Sequence, residues 1–239
     1  FWRRQVCRHL ESETRSLFED QFVAEICKIF RFFDELAVLA ERMIREVPDS
    51  EHGYAWKTSV LMMTEGDLDD LEYAINAWLQ RAPRSGQAWG ARAHFENRRG
   101  NRARVRECLE QAIRLEPTNH GLYLNLAACL LEDHQTEAAL ALARQAVALA
   151  PGSVLAHVVA AEAHLQVEDL VSSHEAAQAA LYLDPDHPSA LKLMTGVCCR
   201  LGLRERALQC FRRFEALSSD DLVIAEFRGQ LRESEIELL

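Results

Sequence analysis

The stretch AVALAP, residues 146–151, ends an apolar run of helical spacing with a proline, and AIRLEP (112–117) and ALYLDP (180–185) repeat that pattern. Prolines stand at positions 48, 83, 117, 151 and 185, so their separations are 35, 34, 34 and 34 residues. Because proline cannot continue a helix and disfavours the α conformation of the residue before it, each one predicts a helix end. The chain is therefore a repeat with a period of about 34 residues.

Placing these prolines at position 32 of each copy divides the chain. We expect an N-terminal helix at 1–16, a degenerate copy at 17–50, one inserted residue at Glu51, and a C-terminal capping helix at 222–239. Five further copies lie between them, at 52–85, 86–119, 120–153, 154–187 and 188–221. Position 15 is glycine in three copies, where a left-handed residue ends the first helix. These glycines are Gly66, Gly100 and Gly202.

Position 8 of the copies is always small, which predicts that two helices pass close together there. Its occupants are Ala24, Ser59, Ala93, Ala127, Ala161 and Thr195. The pattern resembles the tetratricopeptide repeat, with Trp89 and Tyr123 at its Trp position, Ala139 and Ala207 at its first Ala, and Phe211 at its Phe. The resemblance implies an all-α, right-handed superhelix of about six helix-turn-helix pairs with capping helices at its ends. Such pairs bury their apolar faces only against neighbours.

The resemblance also places positions 2, 5, 9, 12 and 13 of each first helix on a concave surface. A groove there would hold a peptide or helix of a partner protein. Its apolar centre would be Leu124, Ala128, Leu131, Leu155, Val158 and Leu165, flanked by His94, Asn97, Arg98, Lys192 and Arg200. Asn125 alone matches the carboxylate clamp of tetratricopeptide co-chaperones, so we expect no such clamp. The alternative is that these positions pack within the superhelix or under a terminal helix.

Six arginines lie between residues 92 and 106, opposed only by Glu96. Either this stretch is a solvated edge or it binds an acidic partner. Arg92 and Glu96 occupy positions that are apolar in the repeat pattern. Either they form a partly buried ion pair, or the helix is rotated so that Phe95 reaches the core. We predict the rotation. The candidate patch for an acidic partner consists of Arg98, Arg99, Arg102, Arg104 and Arg106.

Six of the ten phenylalanines lie in the first 33 residues, together with Trp2. We predict that they serve a core in which the N-terminal helix packs on the degenerate copy. The alternative is an exposed edge at Phe30, Phe32 and Phe33 that pairs with a second protomer or another protein.

Composition excludes several classes of protein. The 239 residues carry a net charge of −10, with 18 basic and 20 acidic residues in 1–119 and 9 and 17 in 120–239, which argues against nucleic-acid or anionic-lipid binding. The sequence contains no run of 18 apolar residues, so we expect no membrane insertion. The seven cysteines form no C-x-x-C pair and favour a reducing, cytoplasmic location, although a chain that begins at Phe1 leaves room for a removed signal peptide.

We find no catalytic, cofactor-binding or metal-binding motif. The sequence therefore predicts a non-catalytic scaffold or adaptor for a protein or peptide partner. Two alternatives stay open: the interaction arm of a longer enzyme, and a subunit that self-assembles through the aromatic N-terminal edge.

Overall fold

The computed structural model describes residues 1–12, 16–218 and 221–236, which form helices joined by short turns and include no strand. The predicted all-α class is confirmed. Residues 13–15 of the predicted N-terminal helix, 219 and 220 of the last copy, and 237–239 of the predicted capping helix lie outside the described ranges. The helices are α1 (Trp2–Glu11), α2 (Leu17–Ile29), α3 (Phe33–Glu46), α4 (Glu51–Met63), α5 (Leu68–Arg81), α6 (Gly86–Arg98), α7 (Arg102–Leu115), α8 (His120–Glu132), α9 (Thr136–Leu149), α10 (Val154–Gln166), α11 (Leu170–Leu183), α12 (Pro188–Arg200), α13 (Arg204–Leu217) and α14 (Asp221–Ile236).

The chain forms two compact units, an N-terminal unit (Phe1–Pro117) and a C-terminal unit (Thr118–Leu239). In both units a first helix packs on the second helix that follows it, as in the pairs α6 and α7, or α10 and α11. Each second helix from α3 to α11 ends two residues before its proline, as the sequence predicts.

The residue two positions after each proline starts the next helix. Its side chain accepts a hydrogen bond from a backbone N–H of the new first turn, which satisfies one of the donors that a helix start leaves unpaired. In the turn itself, the Ser153 N–H donates to the Ala150 carbonyl at 3.0 Å. The five N-cap residues are Ser50, Ser85, Asn119, Ser153 and His187.

The turn inside each helix pair contains one left-handed residue. Gly100 and Gly202 take this conformation, with φ of +73° and +71°. In the second pair it falls to Glu65 (φ +52°) and not to the predicted Gly66. Helix α4 begins at Glu51, 34 residues after the start of α2, so the extra residue lies in the turn after α4 and not at Glu51. A turn accepts an insertion more easily than a packed helix does.

This shift corrects one of the predicted close contacts between helices. Five of the six small residues at position 8 are fully or nearly fully buried, which confirms close packing there. In α4, however, Thr58 is buried and Ser59 is only half-buried, because the helix starts one residue earlier than predicted.

The prediction that the N-terminal aromatic residues build a core is wrong for most of them. Phe1, Phe18, Phe22 and Phe30 are all exposed. Helix α1 has Val6 as its single buried residue, so it covers too little of α2 to enclose these rings. The cores of the N-terminal unit are built instead around buried aliphatic residues of α3 and α5 and the buried Phe95.

Phe95 is buried as the predicted rotation of α6 requires, but Glu96 is buried beside it. The Arg92 Nε donates to Glu96 Oε1 at 2.8 Å, and the Asn101 Nδ2 donates to Glu96 Oε2 at 3.4 Å. Helix α6 therefore carries the buried ion pair that the sequence left as an alternative. Arg92 Nη2 also lies 3.3 Å from Glu72 Oε1 on α5, so the pair links the two helices.

Helix α14 packs against α12 and α13, as expected of a cap on the C-terminal unit. Between residues 221 and 231 its buried residues are Ile224, Phe227 and Leu231, whereas Leu222 is exposed. The Phe227 ring packs over Gly196 of α12, where an added Cβ would lie 3.6 Å from the ring, in ordinary van der Waals contact.

Candidate protein-binding surfaces

First helices form one layer of the C-terminal unit. Helix α8 contacts α10, and α10 contacts α12, whereas the second helices α9, α11 and α13 approach one another less closely. The stack therefore bends with its first helices inside. We call the solvent side of this layer the inner face; in the N-terminal unit the same layer consists of α2, α4 and α6.

The predicted apolar centre of the groove is mostly closed. Leu124, Leu131 and Val158 are buried and Leu165 is half-buried, whereas the small Ala128 and the larger Leu155, at 56%, are exposed. Leu124 and Val158 each pack against alanines of the following helices. The open apolar floor that the sequence predicts is thus corrected: these leucines and this valine hold the first helices together.

The inner face of the C-terminal unit is consequently more polar than predicted. Asn125, Ala128, Lys192 and Arg200 are exposed on it. Arg200 Nη2 lies 3.5 Å from Glu168 Oε1, a weak surface pair. A partner would find hydrogen-bonding and charged groups here, with few apolar anchors.

The inner face of the N-terminal unit holds a groove of about 500 Å³. Phe18 and Phe22 of α2 form one wall and are 77% and 58% exposed. Trp56 of α4 and Trp78 of α5 also line it, and both are nearly fully buried. Gln87 of α6 lines the groove as well. We call this site the aromatic groove.

Polar side chains around the aromatic groove are mostly bonded to one another. Gln21 Nε2 forms a hydrogen bond with His52 Nε2 at 2.7 Å, which ties α2 to α4. The Trp78 Nε1 donates to Glu51 Oε2 at 3.0 Å, and the Ser59 hydroxyl donates to a backbone carbonyl of its own helix at 2.8 Å. The groove therefore offers apolar contact and few spare hydrogen-bonding groups.

The predicted flanking residues of α6 lie at the exposed surface of the N-terminal unit. His94, Asn97 and Arg98 are exposed, and Arg98 Nη2 donates to the Gly66 carbonyl at 3.3 Å. Partial burial of the ring and the nearby Arg98 guanidinium lower the pKa of His94. The imidazole is therefore neutral at pH 7, and Arg98 supplies the positive charge at this end.

Four of the five arginines of the predicted acidic-partner patch are exposed, and the fifth, Arg106, is half-buried. Arg99 Nη1 lies 3.8 Å from Glu72 Oε2, and Arg104 Nη1 lies 2.6 Å from Glu107 Oε2. Part of the positive charge is thus balanced inside the unit, which agrees with the solvated edge more than with a strong anion site.

The predicted aromatic edge is stacked on itself. Phe30 is exposed, but Phe32 and Phe33 are half-buried, and Phe32 packs against the core. The rings of Phe30 and Phe32 are 5.8 Å apart and stacked, and Trp2 stacks on Phe30 at 6.3 Å. The rings thus follow the order Phe32, Phe30, Trp2, and Phe1 contacts Trp2 edge-on at 5.4 Å at the outer end.

Several solved structures have similar folds. PilF of Pseudomonas aeruginosa has a TM-score of 0.77 at 13% identity, over 89% of this chain and 96% of that chain. Residues 108–141 match the family model described as Tetratricopeptide repeat. Residues 108–141 thus match a tetratricopeptide repeat, and over most of its length the chain has the fold of the PilF structure.

Two further structures share this fold. PilW, described as a widely conserved type IV pilus biogenesis factor, has a TM-score of 0.73 at 14% identity, over 87% of this chain and 96% of that chain. YrrB, described as a tetratricopeptide-repeat protein with an unusual peptide-binding site, has a TM-score of 0.61 at 17% identity, over 80% of this chain and 97% of that chain. No curated protein matches the chain. At these identities the likeness establishes the fold alone.

The Trp position of the tetratricopeptide repeat has a defined role here. The Trp89 Nε1 donates to the Pro83 carbonyl at 3.1 Å, and His157 Nε2 forms the same bond with the Pro151 carbonyl at 2.9 Å. His157 stands at the same repeat position as Trp89, and its imidazole bonds the proline carbonyl in place of the indole. The repeat signature did not identify it, because the signature expects a tryptophan there.

The sequence also missed the aromatic groove of this repeat protein. Phe18 and Phe22 are four residues apart, so they share a helix face, and the predicted core position Ala24 lies on the opposite face. That spacing alone indicates that a helix with Ala24 inward turns both phenylalanines to solvent.

The described residues offer neither a metal site nor a membrane span. No cluster of three His, Cys, Asp or Glu side chains could hold a metal ion, and none of the helices has the length and hydropathy of a membrane span. Burial raises the pKa of the Cys27 and Cys198 thiols to about 11, so neither is a ready nucleophile at neutral pH.

Proposed function

We propose that this chain is a non-catalytic adaptor that holds a peptide or helix of a partner protein in the aromatic groove of its N-terminal unit. The observation that carries the proposal is the pair of exposed phenylalanines, Phe18 and Phe22, which wall a groove of about 500 Å³. Exposed aromatic residues at the side of a groove are the usual anchors of a protein interface.

The similar structures support protein interaction in general terms. YrrB is described as carrying a peptide-binding site, and another neighbour is the Cut9–Hcn1 hetero-tetramer of the APC/C. The absence of catalysis and the cytoplasmic location stay predictions from the sequence.

Area sets the expected strength of binding. A phenylalanine side chain contributes about 200 Å², so the exposed parts of Phe18 and Phe22 come to about 270 Å². At about 25 cal/mol per Å² their burial contributes about 7 kcal/mol. Since association costs at least about 4 kcal/mol, these two side chains alone account for no better than millimolar affinity, and tighter binding needs further contacts in the groove.

Selection of random 16-residue peptides displayed on phage tests the proposal. Selected peptides would be synthesised, and their affinity measured by isothermal titration calorimetry for the wild type and for the Phe18→Glu, Phe22→Glu double variant. We expect the double variant to bind at least tenfold more weakly, because charged carboxylates replace both apolar anchors.

The matched control is Leu155→Glu, an equally exposed apolar position in the other unit. It should leave the affinity of these peptides unchanged. Circular dichroism confirms that each variant is folded. Peptides that bind the double variant as well as the wild type, or a selection that yields no binder, would overturn the assignment of function to this groove.

A further inference from the structure

A second cleft lies in the C-terminal unit, beside the turn at Pro151. It has a volume of about 620 Å³ and lies between this turn, His157 of α10 and the C-terminal half of α11, where Tyr182 is 86% exposed. Ser173 and Ala180, on the opposite face of α11, are buried. The cleft therefore opens on the exposed face of a second helix and not on the inner face. We call it the outer cleft.

In the pair α4 and α5, an arginine of the chain itself bridges the end of the second helix to the proline turn. Arg81 is the last residue of α5, and its Cζ lies 4.5 Å from the centre of the Tyr54 ring. Its Nε donates to the Pro48 carbonyl at 3.0 Å. A guanidinium is thus held here by an aromatic face and a proline carbonyl together.

The corresponding positions of the pair α10 and α11 surround the outer cleft. Pro151 precedes α10 as Pro48 precedes α4, and His157 is the fourth residue of α10, where α4 has its tyrosine. Leu183 is the last residue of α11, so it stands where Arg81 stands in α5. Leucine has no donor for the proline carbonyl, and its shorter side chain leaves room beside the turn.

A second arginine reaches a proline turn from a different position of its helix. Arg213, the tenth residue of α13, donates to the Pro185 carbonyl and, at 2.7 Å, to Asp186 Oδ1. The tenth residue of α11 is Ala179, which also lines the outer cleft. Both positions from which arginines reach these turns are therefore apolar at the outer cleft.

The outer cleft nevertheless carries groups that hold a guanidinium. The Tyr182 ring has no other ring or cation against it within the described ranges, and exposed Glu175, on the same face of α11, forms no ion pair with lysine or arginine there. Guanidinium groups stack on aromatic faces and pair with carboxylates. Residues 120–239 carry 17 acidic and 9 basic side chains, so the surrounding field attracts a cation.

We propose that the outer cleft binds an arginine side chain of a partner protein. The aliphatic part of this side chain lies against Ala179 and Leu183, and the guanidinium stacks on Tyr182 and pairs with Glu175. One of its N–H groups donates to the Pro151 carbonyl, whose oxygen can accept a second bond beside the one from the histidine ring. The site is separate from the aromatic groove and does not depend on the proposed function.

Titration with small probes, followed by amide NMR of the whole chain, tests the proposal at millimolar concentrations. The probes are the N-acetyl methylamides of arginine, lysine, citrulline and leucine. We expect the arginine probe to shift the amides of residues 175–183 and His157, and to bind at least threefold tighter than the lysine probe. Citrulline has nearly the same shape without the charge, so its affinity should be at least tenfold lower. Equal binding of the lysine or leucine probe, shifts scattered over the acidic surface, or no shift would overturn the assignment.

Two substitutions of exposed side chains locate the probe. Glu175→Gln and Tyr182→Ala should each weaken the arginine probe at least threefold, because each removes one contact of the guanidinium. The matched control is Glu162→Gln, an exposed carboxylate of α10 that does not line the outer cleft and should leave the affinity unchanged. A loss for Glu162→Gln as large as that for Glu175→Gln would reduce the binding to general charge attraction and refute the site.

An arginine placed in the outer cleft by substitution should imitate Arg81. Leu183→Arg should weaken the arginine probe at least tenfold, and its crystal structure should show the new guanidinium within hydrogen-bonding distance of the Pro151 carbonyl. Ala179→Arg, which imitates Arg213, is the second variant if the first does not fold by circular dichroism. A folded variant whose new guanidinium points to solvent, or which binds the probe as the wild type does, would overturn the proposal.

Discussion

Removing the arginine from the buried ion pair of α6 should cost far more than removing a surface arginine. The side chains of Arg92 and Glu96 are 16% and 5% exposed, and Arg92 is the closest partner of the carboxylate. Arg92→Met leaves Glu96 with only the 3.4 Å bond from Asn101. Breaking a buried pair costs about 3–5 kcal/mol; since Arg92 keeps some exposure, we expect about 2–4 kcal/mol.

Replacing both partners should recover most of this loss. The double variant Arg92→Met, Glu96→Leu leaves no uncompensated buried charge, because Glu72 is 33% exposed and keeps Arg99 at 3.8 Å. It also fills a similar volume, so its stability should lie within about 1 kcal/mol of the wild type. The control is Arg104→Met, which breaks an exposed pair with Glu107 and should cost less than about 1 kcal/mol.

Guanidinium chloride denaturation followed by circular dichroism gives the free energy of unfolding for the four proteins. Because repeat proteins can unfold in parts, hydrogen exchange of the α5 and α6 amides should accompany it. The reasoning is refuted if Arg92→Met destabilises no more than Arg104→Met, or if the double variant is as unstable as the single one.

Four other substitutions test the packing, and cysteine labelling tests the burial of the thiols. The buried Thr58 hydroxyl has no hydrogen-bond partner, so Thr58→Val should raise the free energy of unfolding by about 1 kcal/mol. Thr195→Val removes a 2.8 Å bond to a helix carbonyl and should lower the free energy of unfolding by about 1 kcal/mol. A Cβ on Gly53 would lie 2.9 Å from a backbone nitrogen of α3, so Gly53→Ala should lose about 1–3 kcal/mol in thermal or chemical denaturation. Gly229→Ala, in open space on α14, should gain up to about 1 kcal/mol. Iodoacetamide labelling at pH 8, read by mass spectrometry, should modify the exposed Cys7 first. Burial raises the thiol pKa of the four buried cysteines, so they should react only after unfolding. Early labelling of a buried thiol would contradict the structure.

Helix ends and close contacts were predictable because they depend on local chemistry. A proline stops a helix wherever it occurs, and a small residue at position 8 is needed wherever two helices cross. The one error of register, at Glu51, arose because an extra residue can sit in either of two adjacent turns. The start of α4 at Glu51 and the left-handed Glu65 show that the turn after α4 contains it.

Exposure on the inner face was less predictable because it depends on neighbouring helices. Leu124 and Leu155 both occupy positions that the resemblance assigns to the groove, yet the first is buried and the second exposed. Alanines of the next helices approach Leu124, and the distance of that approach is not encoded in a single copy. The same holds for Phe18 and Phe22, whose exposure follows from how little α1 covers.

The bonds to proline carbonyls indicate where the chain can be divided into smaller fragments. Pro83 and Pro151 are bonded by side chains six residues later, so each turn is completed by the helix that follows it. Pro48 instead receives its bond from Arg81, 33 residues later. A fragment that ends after α6 keeps the Pro83 turn intact, whereas one that ends after α4 leaves the Pro48 carbonyl without its donor. After the Pro48 turn, an expression fragment should therefore include the whole pair α4 and α5, because Arg81 of α5 supplies the bond. After the Pro83 or Pro151 turn, a fragment can end after the first helix that follows, α6 or α10.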